Sequence, residues 1–579
     1  MTLIAGALAR RPGVGLPAGT CEQIAASLSR DPRDRPLTHR GERVFFAKVD
    51  IGAYREPAFR VDADGSLSML AGEPLLLPAE GEPTRTRTED LHRLHDGWRT
   101  EPHSLLPAAT GIFTVAHYDA QREQLTLATD KLALRPLFVW FGEELVVFSS
   151  VLRTFAALPQ IPRTPDLRTL AELLTLHHAL GDRTPSREIV RLRAGELAQV
   201  RGDEAVRSRY WRWDEVPVGE PTEAELLAEA YQRFTGAVRR RLGGDTVVPA
   251  FLSGGLDSRC VVGALRDQGA TVYSFNFARE GTQDQVLGRL FAEAIGSIHH
   301  EEPRQPGEIG HATMLASRWS AVQERDGVAA ERPSLIWSGD GGSGPVGFAN
   351  MYPDVIERLR GGDVDGAIRR YLQRCHFVLP TRILTRAAAA SMAVWPPQAL
   401  QEELQALQAD EPGRRFFLLR LLNMQHPAKA GHFANIDRHR LEYQIPFWDS
   451  HFLETIVRVP VDLLMRHHFY HRWLQLFPAA VSSVPWQAYP GHEPCPLPAP
   501  QGLQYQWGER SRSAEQRAKR RQRTVQKAQS ALAREGFPHP VLNRRALLAA
   551  TWAHRLRLRD ASHLIDAAST VRAFWVPPR

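Results

Sequence analysis

A serine, two glycines, a leucine, an aspartate and a second serine occupy residues 253–258, between two apolar segments. Residues 246–250 predict a buried strand, and the apolar residues that follow the run have helical spacing. A strand that turns through glycines into a helix exposes backbone N–H groups at the positive helix end, which suits a phosphate. The predicted nucleotide-binding residues are Ser253, Gly254, Gly255, Asp257 and Ser258. The Asp257 carboxylate could also hold Mg²⁺ against the phosphates.

This run lacks the Gly-Lys-Ser/Thr ending of a Walker A loop, so the usual kinase or GTPase interpretation does not apply. The run resembles the pyrophosphate-binding loop of the ATP pyrophosphatases, which split ATP into AMP and pyrophosphate. In that family too, a Ser-Gly-Gly-x-Asp-Ser sequence connects a strand to a helix. The resemblance implies ATP and Mg²⁺ as cofactors. An ordinary βα turn is the alternative, but such a turn does not require both serines, both glycines and the aspartate together.

A second glycine-rich run follows another predicted strand at residues 334–337. Residues 338–344, Ser-Gly-Asp-Gly-Gly-Ser-Gly, resemble the Ser-Gly-(Glu/Asp)-Gly-x-Asp-Glu loop of the asparagine synthetases, which also lies against ATP. The nucleotide-binding residues that this resemblance implies are Ser338, Gly339 and Gly341. Ser343-Gly344 replaces the family's Asp-Glu, so one expected Mg²⁺ carboxylate is missing. A plain glycine-rich turn is the alternative interpretation.

Residues 442–449 resemble the Glu-x-Arg-x-Pro-Phe-Leu-Asp motif of the same family, with Gln444 and Trp448 as departures. In the β-lactam-forming relatives, the matching glutamate works with the residue at the Asp340 position to take a proton from the attacking amine. The resemblance therefore implies that Asp340 and Glu442 form a catalytic pair. Such a pair requires that burial or a neighbouring like charge raise the pKa of one carboxylate. A surface position on a helix is the alternative for Glu442.

The first part of the chain is predicted to be rich in strands. Alternating apolar residues predict strands at residues 111–119, 125–130, 137–140 and 145–148. Residues 130–138 resemble the Asp-x-x-Gly-x-Arg-Pro-Leu segment of glutamine-hydrolysing asparagine synthetases, with Ala133 in place of the glycine. In that family the segment belongs to the N-terminal amidotransferase domain. The resemblance implies an Ntn-type αββα sandwich over residues 1–215.

The nucleophile of that family's glutaminase is a cysteine directly after the initiator methionine, and its own α-amine is the base. This chain has Thr2 at that position, and its first cysteine, Cys21, lies inside the chain. Because threonine serves as an N-terminal nucleophile in other hydrolases, a role for Thr2 stays open. We expect the first domain to keep its fold without glutaminase chemistry.

A stretch containing proline and glutamate at residues 216–222 predicts a linker, and a helix is expected at residues 223–242. A strand at residues 271–277 and a helix at residues 283–295 continue the strand–helix alternation. This alternation implies a parallel sheet with ligands at the carboxyl ends of its strands. We therefore expect an α/β protein whose second domain, residues 223–579, is a doubly wound ATP-pyrophosphatase domain with a helical C-terminal part.

The three motifs stand in family order and identify the chain as a member of the asparagine synthetase-like ligases. The implied reaction begins when a substrate carboxylate attacks the α-phosphate of ATP, and an amine then attacks the acyl-adenylate. Without a glutaminase the amine comes from the substrate, as in β-lactam synthetases and lasso peptide cyclases. Residues 339–343 are more similar to the cyclases, in which the N-terminal amine of a precursor peptide closes a macrolactam on an Asp or Glu side chain.

The cyclase resemblance implies a precursor peptide as partner, together with a leader-peptide-binding protein and a leader peptidase. Three alternatives stay open. The chain could be an asparagine synthetase-like or β-lactam-synthetase-like ligase of a small molecule, a transferase that modifies a sugar or metabolite, or an inactive scaffold. A lysine near the C-terminal region contacts pyrophosphate in these families, and Lys519 and Lys527 are the candidates.

The 579 residues have a net charge of +7, and 43% are hydrophobic and 24% charged, as in ordinary globular proteins. No apolar run is long enough to cross a bilayer, and no signal peptide is predicted. The four cysteines are too scattered for a zinc site or a disulfide framework, so we expect a cytoplasmic protein. The basic residues at 510–527 lack interleaved aromatic side chains, so a solvated helix face is expected and nucleic-acid binding is not.

Overall fold

The computed structural model describes residues 2–78, 84–100, 105–302, 311–424, 427–506 and 514–575. Residues 510–513 of the predicted basic run lie outside these described ranges. None of the described helices has both the length and the apolar character that crossing a lipid bilayer requires. The fold is α/β, as predicted, and contains two antiparallel sheets and one parallel sheet.

The first part of the chain forms twelve strands in two six-stranded antiparallel sheets. The strands are β1 (Thr2–Ala9), β2 (Leu37–Arg40), β3 (Val44–Asp50), β4 (Phe59–Val61), β5 (Leu67–Glu73), β6 (Ile112–Asp119), β7 (Gln124–Thr129), β8 (Phe138–Phe141), β9 (Leu145–Ser149), β10 (Ile189–Arg191), β11 (Glu196–Arg201) and β12 (Glu204–Arg209). The sheet orders are β10-β8-β9-β1-β3-β2 and β12-β11-β7-β6-β5-β4. All four strands that the sequence predicts here are present.

The two sheets pack face to face through alternating apolar side chains, among them Ile4 and Phe46 from one sheet and Met69 and Leu127 from the other. Helix α1 (Thr20–Leu28) covers β1 and β3 of the first sheet, and helix α2 (Arg87–Thr100) covers β5 of the second. The result is the predicted four-layer αββα sandwich. The helices α3 (Arg153–Ala156) and α4 (Leu167–Leu176) follow in the chain.

The predicted parallel sheet is confirmed, with strand order β15-β14-β13-β16-β17. Its strands are β13 (Val247–Phe251), β14 (Thr271–Asn276), β15 (Ile298–Glu301), β16 (Leu335–Trp337) and β17 (Glu442–Gln444), and its helices are α5 (Glu223–Leu242), α6 (Leu256–Asp267), α7 (Gln283–Ile295) and α8 (His311–Asp326). A capping box between Thr222 and Glu225 starts α5 at the predicted residue. The domain boundaries on either side of residues 216–222 stay a prediction.

The described residues of the remaining chain are mostly helical, as predicted, and also contain β17. Its helices are α9 (Pro353–Arg360), α10 (Val364–Arg374), α11 (Arg386–Gln405), α12 (Pro412–Asn423), α13 (Pro427–Ala434), α14 (Ile436–His439), α15 (Ser450–Ile456), α16 (Val461–Leu464), α17 (His468–Leu474), α18 (Ala479–Ser483), α19 (Ala514–Ala531), α20 (Arg544–Arg555) and α21 (Ser562–Trp575). The described part of the basic run forms α19, whose Arg517, Lys519 and Arg520 are exposed, as predicted for a solvated helix face.

The family-like turn at residues 130–135 explains one departure from the family pattern. The buried carboxylate of Asp130 accepts a hydrogen bond from the backbone N–H of Leu132 at 2.8 Å and closes the turn. Ala133 has a φ of +49°, in the left-handed region that favours glycine. The backbone therefore keeps the conformation for which the family uses glycine, although this chain has a Cβ atom there.

Candidate active site

The loop at residues 253–258 connects the carboxyl end of β13 to the first turn of α6, as predicted. Its serines fix its shape. Ser258 Oγ accepts a hydrogen bond from the backbone N–H of Ser253 at 3.0 Å, and Ser253 Oγ accepts one from Gly255 at 3.2 Å. Gly255 is the N-cap of α6, and no side chain of the described residues caps this helix end. The first turn of α6 can therefore bind an anion such as phosphate through its backbone N–H groups.

The second glycine-rich loop, residues 338–341, follows β16 and touches the first loop directly. A Cβ atom at Gly339 would lie 2.3 Å from the backbone nitrogen of Ser258 and 2.4 Å from the carbonyl carbon of Asp257. Because backbone atoms cannot move aside as a flexible side chain does, a larger residue at position 339 would force the loops apart. Glycine at this position brings the two predicted nucleotide loops together.

Trp448 fixes the far end of the second loop. Its indole N–H donates to the carbonyl oxygen of Asp340 at 3.0 Å, and a Cβ atom at Gly341 would lie 2.4 Å from the same indole nitrogen. Gly341 also has a φ of +98°, which favours glycine. Ser338 Oγ accepts a hydrogen bond from the backbone N–H of Asp340 at 3.1 Å. The departure of Trp448 from the family motif thus supplies a direct support for Asp340.

A cavity of about 370 Å³ lies where the two loops meet, at the carboxyl ends of the parallel strands. Seven of the predicted site residues line it: Ser253, Asp257, Ser258, Ser338, Gly339, Asp340 and Gly341. Its volume is typical of cofactor and small-ligand sites. Gly254 and Gly255 belong to the first loop but do not line the cavity.

Three polar residues that the sequence analysis did not single out also line the cavity. Asn276 ends β14, Asp284 lies in the first turn of α7, and Gln506 precedes α19. Asp284 Oδ1 accepts a hydrogen bond from the N–H of Gly254 at 3.0 Å, and burial raises the pKa of Asp284. The rule that ligands collect at the carboxyl ends of parallel strands is a signal for Asn276. No local pattern marks Gln506.

Asp257 is held by three hydrogen bonds from two residues. Its carboxylate accepts bonds of 2.8 Å from the backbone N–H and the hydroxyl of Ser343, and a third of 2.8 Å from the hydroxyl of Tyr470. Burial raises the pKa of Asp257 to about 6, and the negative charge of Asp340 adds to the increase while the hydrogen bonds oppose it. Ser343, which replaces a family aspartate, here positions the remaining carboxylate. Tyr470 carried no signal in the sequence.

The partner of Asp340 is a lysine. The Nζ atom of Lys429, on α13, lies 2.6 Å from Oδ2 of Asp340. The Lys429 side chain is 8% exposed, whereas the Asp340 side chain is 51% exposed and lines the cavity. The sequence analysis did not find Lys429, because its surroundings show no charge pattern or motif that distinguishes it.

Glu442, the predicted catalytic partner of Asp340, forms an ion pair with an arginine. Its side chain is fully buried and accepts a hydrogen bond from the guanidinium group of Arg135. Burial works against ionisation of this carboxyl, but the charge of Arg135, its hydrogen bond and the other positive charges nearby, including that of Arg87, together outweigh burial and lower the pKa of Glu442. Glu442 pairs in register with Leu335 at the start of β16, whereas Asp340 follows the end of that strand. The alternative, an exposed position on a helix, is wrong, because Glu442 is buried and lies in β17. A catalytic role for Glu442 stays a prediction.

Thr2 and Cys21, the two residues considered as glutaminase nucleophiles, lie in different elements of the antiparallel part. Thr2 begins β1, and its hydroxyl accepts a hydrogen bond from Arg87 at 2.8 Å and donates one to Asp50 at 3.3 Å. Cys21 lies in α1 and is 4% exposed. Burial raises the pKa of the Cys21 thiol, which disfavours the nucleophilic thiolate. The loss of glutaminase activity itself stays a prediction.

The structure places neither candidate pyrophosphate lysine at the cavity. Lys519 forms an ion pair of 2.8 Å with Glu515 of its own helix, and Lys527 forms one of 2.7 Å with Asp566. Within the described ranges, no three His, Cys, Asp or Glu side chains are arranged to hold a metal ion. Mg²⁺ commonly uses one or two carboxylates and completes its shell with phosphate oxygens and water. Asp257 and Asp340 meet this requirement, since they line one cavity and the charge of Asp340 raises the pKa of Asp257.

Two protein-family models match this chain. Residues 78–211 match a glutamine amidotransferase domain, and residues 229–334 match the asparagine synthase domain. The first region is thus similar to glutamine amidotransferase domains and the second to the asparagine synthase domain. The first matched region contains the antiparallel strands from β6 onward, and the second contains the Ser-Gly-Gly loop and most of the parallel sheet. The asparagine synthetase-like residues 338–341 and 442–449 lie beyond the second matched region.

Similar sequences include glutamine-hydrolysing asparagine synthetases from several organisms. Asparagine synthetase (glutamine-hydrolyzing) 3 of Bacillus subtilis is 26% identical over 357 residues, which are 55% of this chain and 56% of that protein. Asparagine synthetase (glutamine-hydrolyzing) of Mesocricetus auratus is 27% identical over 199 residues. The match covers 33% of this chain and 35% of that protein. The chain thus spans about half or less of the length of these relatives.

A solved structure is similar over a larger share of the chain. Glutamine phosphoribosylpyrophosphate amidotransferase from B. subtilis, in complex with ADP and GMP, aligns with 59% of this chain and 77% of its own. The sequence identity is 11% and the TM-score is 0.25.

Proposed function

We propose that this chain is an ATP-dependent C–N ligase of the asparagine synthetase family that forms AMP and pyrophosphate. In this proposal it adenylates a substrate carboxylate and joins it to an amine that the substrate itself carries. The observation that carries the proposal is the single cavity lined by both glycine-rich loops, with Asp257 and Asp340 beside the N-terminus of α6. Nothing in an ordinary βα turn accounts for this convergence.

The first half-reaction relies on the two loops. The uncapped first turn of α6 and the hydroxyls of Ser253 and Ser258 would bind the phosphates of ATP. An oxygen of the substrate carboxylate attacks the α-phosphorus, the bond to the bridging oxygen breaks, and pyrophosphate leaves. Mg²⁺, when held by Asp257 and Asp340, would supply positive charge that stabilises the departing pyrophosphate.

The second half-reaction needs a group that accepts a proton from the attacking amine. The half-exposed carboxylate of Asp340 lines the cavity and can accept that proton, while Lys429 holds the carboxylate from the buried side. The amine then attacks the acyl carbon, the carbon–oxygen bond to AMP breaks, and the amide forms. The ammonium group of Lys429 also places a positive charge near the cavity, where it would stabilise the oxyanion of the tetrahedral intermediate. Lys429 replaces Glu442 as the proposed partner of Asp340.

Within this reaction class, we infer that the substrate is a precursor peptide and the product a macrolactam. The similarity of residues 339–343 to the lasso peptide cyclases supports this narrower assignment. The bonding of Thr2 to Arg87 and the burial of Cys21 support a source of amine other than glutamine. A leader-peptide-binding protein and a leader peptidase would act on the same peptide.

The deciding experiment incubates the full chain with ATP, Mg²⁺ and a candidate precursor peptide, without glutamine or ammonium. We expect AMP and pyrophosphate, exchange of labelled pyrophosphate into ATP, and a peptide product lighter by one water. Formation of ADP would exclude the ligase assignment. Exchange with a small carboxylic acid, followed by ammonium-dependent amide formation, would support the small-molecule alternative. If neither AMP nor ADP forms with any carboxylate tested, the result would support the inactive-scaffold alternative.

A further inference from the structure

A second cavity, of about 670 Å³, shares no lining residue with the nucleotide cavity. Its walls come from α4, from the segment between α10 and α11, and from the region that begins just before α21. Its apolar lining consists of Leu173, Leu174, Val378, Leu379, Pro380, Leu564 and Ala567. We call this cavity the α4–α21 groove. Val378 is 71% exposed, so the groove presents an apolar side chain that the described residues do not cover.

The polar lining of the groove is dominated by basic side chains. Arg382 and Arg559 are exposed, and neither forms an ion pair within the described ranges. Three histidines, His177, His376 and His563, line the same groove. The acidic side chain present, Asp566, already pairs with Lys527 at 2.7 Å. The groove therefore offers two unpaired guanidinium groups next to apolar surface.

The backbone of one wall can also contribute hydrogen bonds. Residues 377–380 belong to neither a helix nor a strand. The backbone N–H groups of Val378 and Leu379 form no hydrogen bond in the part of the chain that the structure describes. A peptide in extended conformation can offer carbonyl oxygens to such donors while its alternate side chains fill apolar pockets.

We propose that the α4–α21 groove binds an acidic peptide segment that also carries aliphatic side chains. Carboxylates of the peptide pair with Arg382 and Arg559, its aliphatic side chains pack against Val378 and the neighbouring leucines, and its carbonyls meet the free N–H groups. A second copy of this chain is disfavoured as the occupant, because the chain has a net charge of +7 and the groove is itself basic. The proposal concerns a site outside the nucleotide cavity and does not rest on the proposed reaction.

The test measures fluorescence anisotropy of two short labelled peptides in the presence of the full chain. One peptide alternates leucine with glutamate, and the other alternates leucine with lysine. We expect the acidic peptide to bind, with weaker binding as the salt concentration rises. The double variant Arg382→Glu, Arg559→Glu should bind it about tenfold more weakly or worse, because attraction becomes like-charge repulsion. Val378→Asp should weaken it as well, and since Val378 is exposed this change leaves the fold intact.

The matched control is the double variant Arg369→Glu, Arg438→Glu, which makes the same charge change at two exposed residues outside the groove. It should bind the acidic peptide as the parent does. Equal binding of the lysine peptide, or equal weakening in the control, would overturn the proposal. So would an assembly of the parent chain that the Val378→Asp change converts to monomer, since the occupant would then be a second copy. Pyrophosphate exchange, measured separately on Val378→Asp, keeps a failure of the reaction distinct from a failure of the groove.

Discussion

The guanidinium group of Arg135 donates a hydrogen bond to the carboxylate of Glu442, although 307 positions separate the two residues in the chain. The exposed fractions of the two side chains are 4% and 0%. Arg135 ends the turn at residues 130–135 of the antiparallel part, whereas Glu442 begins β17 of the parallel sheet. The pair therefore joins the two parts of the molecule through a buried charge interaction.

Glu442→Gln should lower the free energy of unfolding by about 3–5 kcal/mol, because the change leaves the guanidinium of Arg135 buried without its counter-charge. Urea unfolding followed by tryptophan fluorescence measures the effect. The exposed Glu22→Gln serves as the control, and Arg135→Met combined with Glu442→Leu should recover part of the loss. Unchanged stability together with slow amide formation would instead restore Glu442 as the base.

Lys429→Met should separate the two half-reactions. The loops that bind ATP are unchanged, so exchange of labelled pyrophosphate should continue. Amide closure should slow by roughly 10²–10⁴-fold, the usual contribution of acid–base catalysis. Single-turnover measurement of adenylate formation and of peptide product gives both rates. Asp340→Asn should slow both half-reactions, because it also removes a carboxylate proposed to hold Mg²⁺, whereas Lys429→Arg, which keeps the charge, should retain more activity. Equal loss of exchange and closure would place Lys429 in ATP binding.

Binding of Mg²⁺–ATP should weaken as the pH falls through about 6, the value to which burial raises the pKa of Asp257. Below this pH the carboxyl is protonated and cannot bind a cation, and above it the carboxylate is available. The effect of pH on stability has the opposite sign. Because burial raises the pKa of Asp257, ionising this group costs folding free energy, and the free energy of unfolding decreases as the pH rises towards about 6. Calorimetric titration at several pH values measures the affinity. In Asp257→Asn, binding should be weak at every pH.

Gly339→Ala should disrupt the nucleotide cavity, although it adds only one methyl group. Its Cβ atom would lie 2.3 Å from the backbone nitrogen of Ser258, so the loops must separate. Overpacking of this kind typically costs about 1–3 kcal/mol. Thermal unfolding and ATP titration report the two effects. At Gly15 a Cβ atom meets nothing nearer than 3.8 Å, so Gly15→Ala should change neither quantity. Normal ATP affinity in Gly339→Ala would show that the two loops do not need this contact.

The protein should release no glutamate from glutamine. Thr2→Ala and Cys21→Ala should each leave pyrophosphate exchange and amide formation at the parent rate, because neither side chain takes part in the proposed reaction. A coupled glutamate assay measures the first expectation and product analysis the second. Glutamate release that either substitution abolishes would show that the antiparallel part keeps a working glutaminase.

The sequence predicts those features that depend on local chemistry. Helix α7 begins and ends at the predicted residues, and the two glycine-rich loops meet because parallel strands bring their carboxyl ends to one edge. Lys429 and Tyr470 could not be predicted in the same way. Each reaches an aspartate of these loops through the tertiary fold, and neither occupies a position with a local pattern. The pairing of Glu442 with Arg135 could not be predicted either, because Arg135 lies in the other part of the chain.

In the proposed reaction, proton-accepting chemistry and fold stability belong to different carboxylates, Asp340 and Glu442, and this separation bears on how the chain can evolve. Glu73 of β5 accepts a hydrogen bond of 2.8 Å from Gln444 of β17, close to the Arg135–Glu442 pair. A gene that lost its first part would encode a sheet whose last strand keeps Glu442 and Gln444 but lacks their partners Arg135 and Glu73. Selection for a stable parallel sheet would therefore preserve the amidotransferase-like part, whether or not that part hydrolyses glutamine.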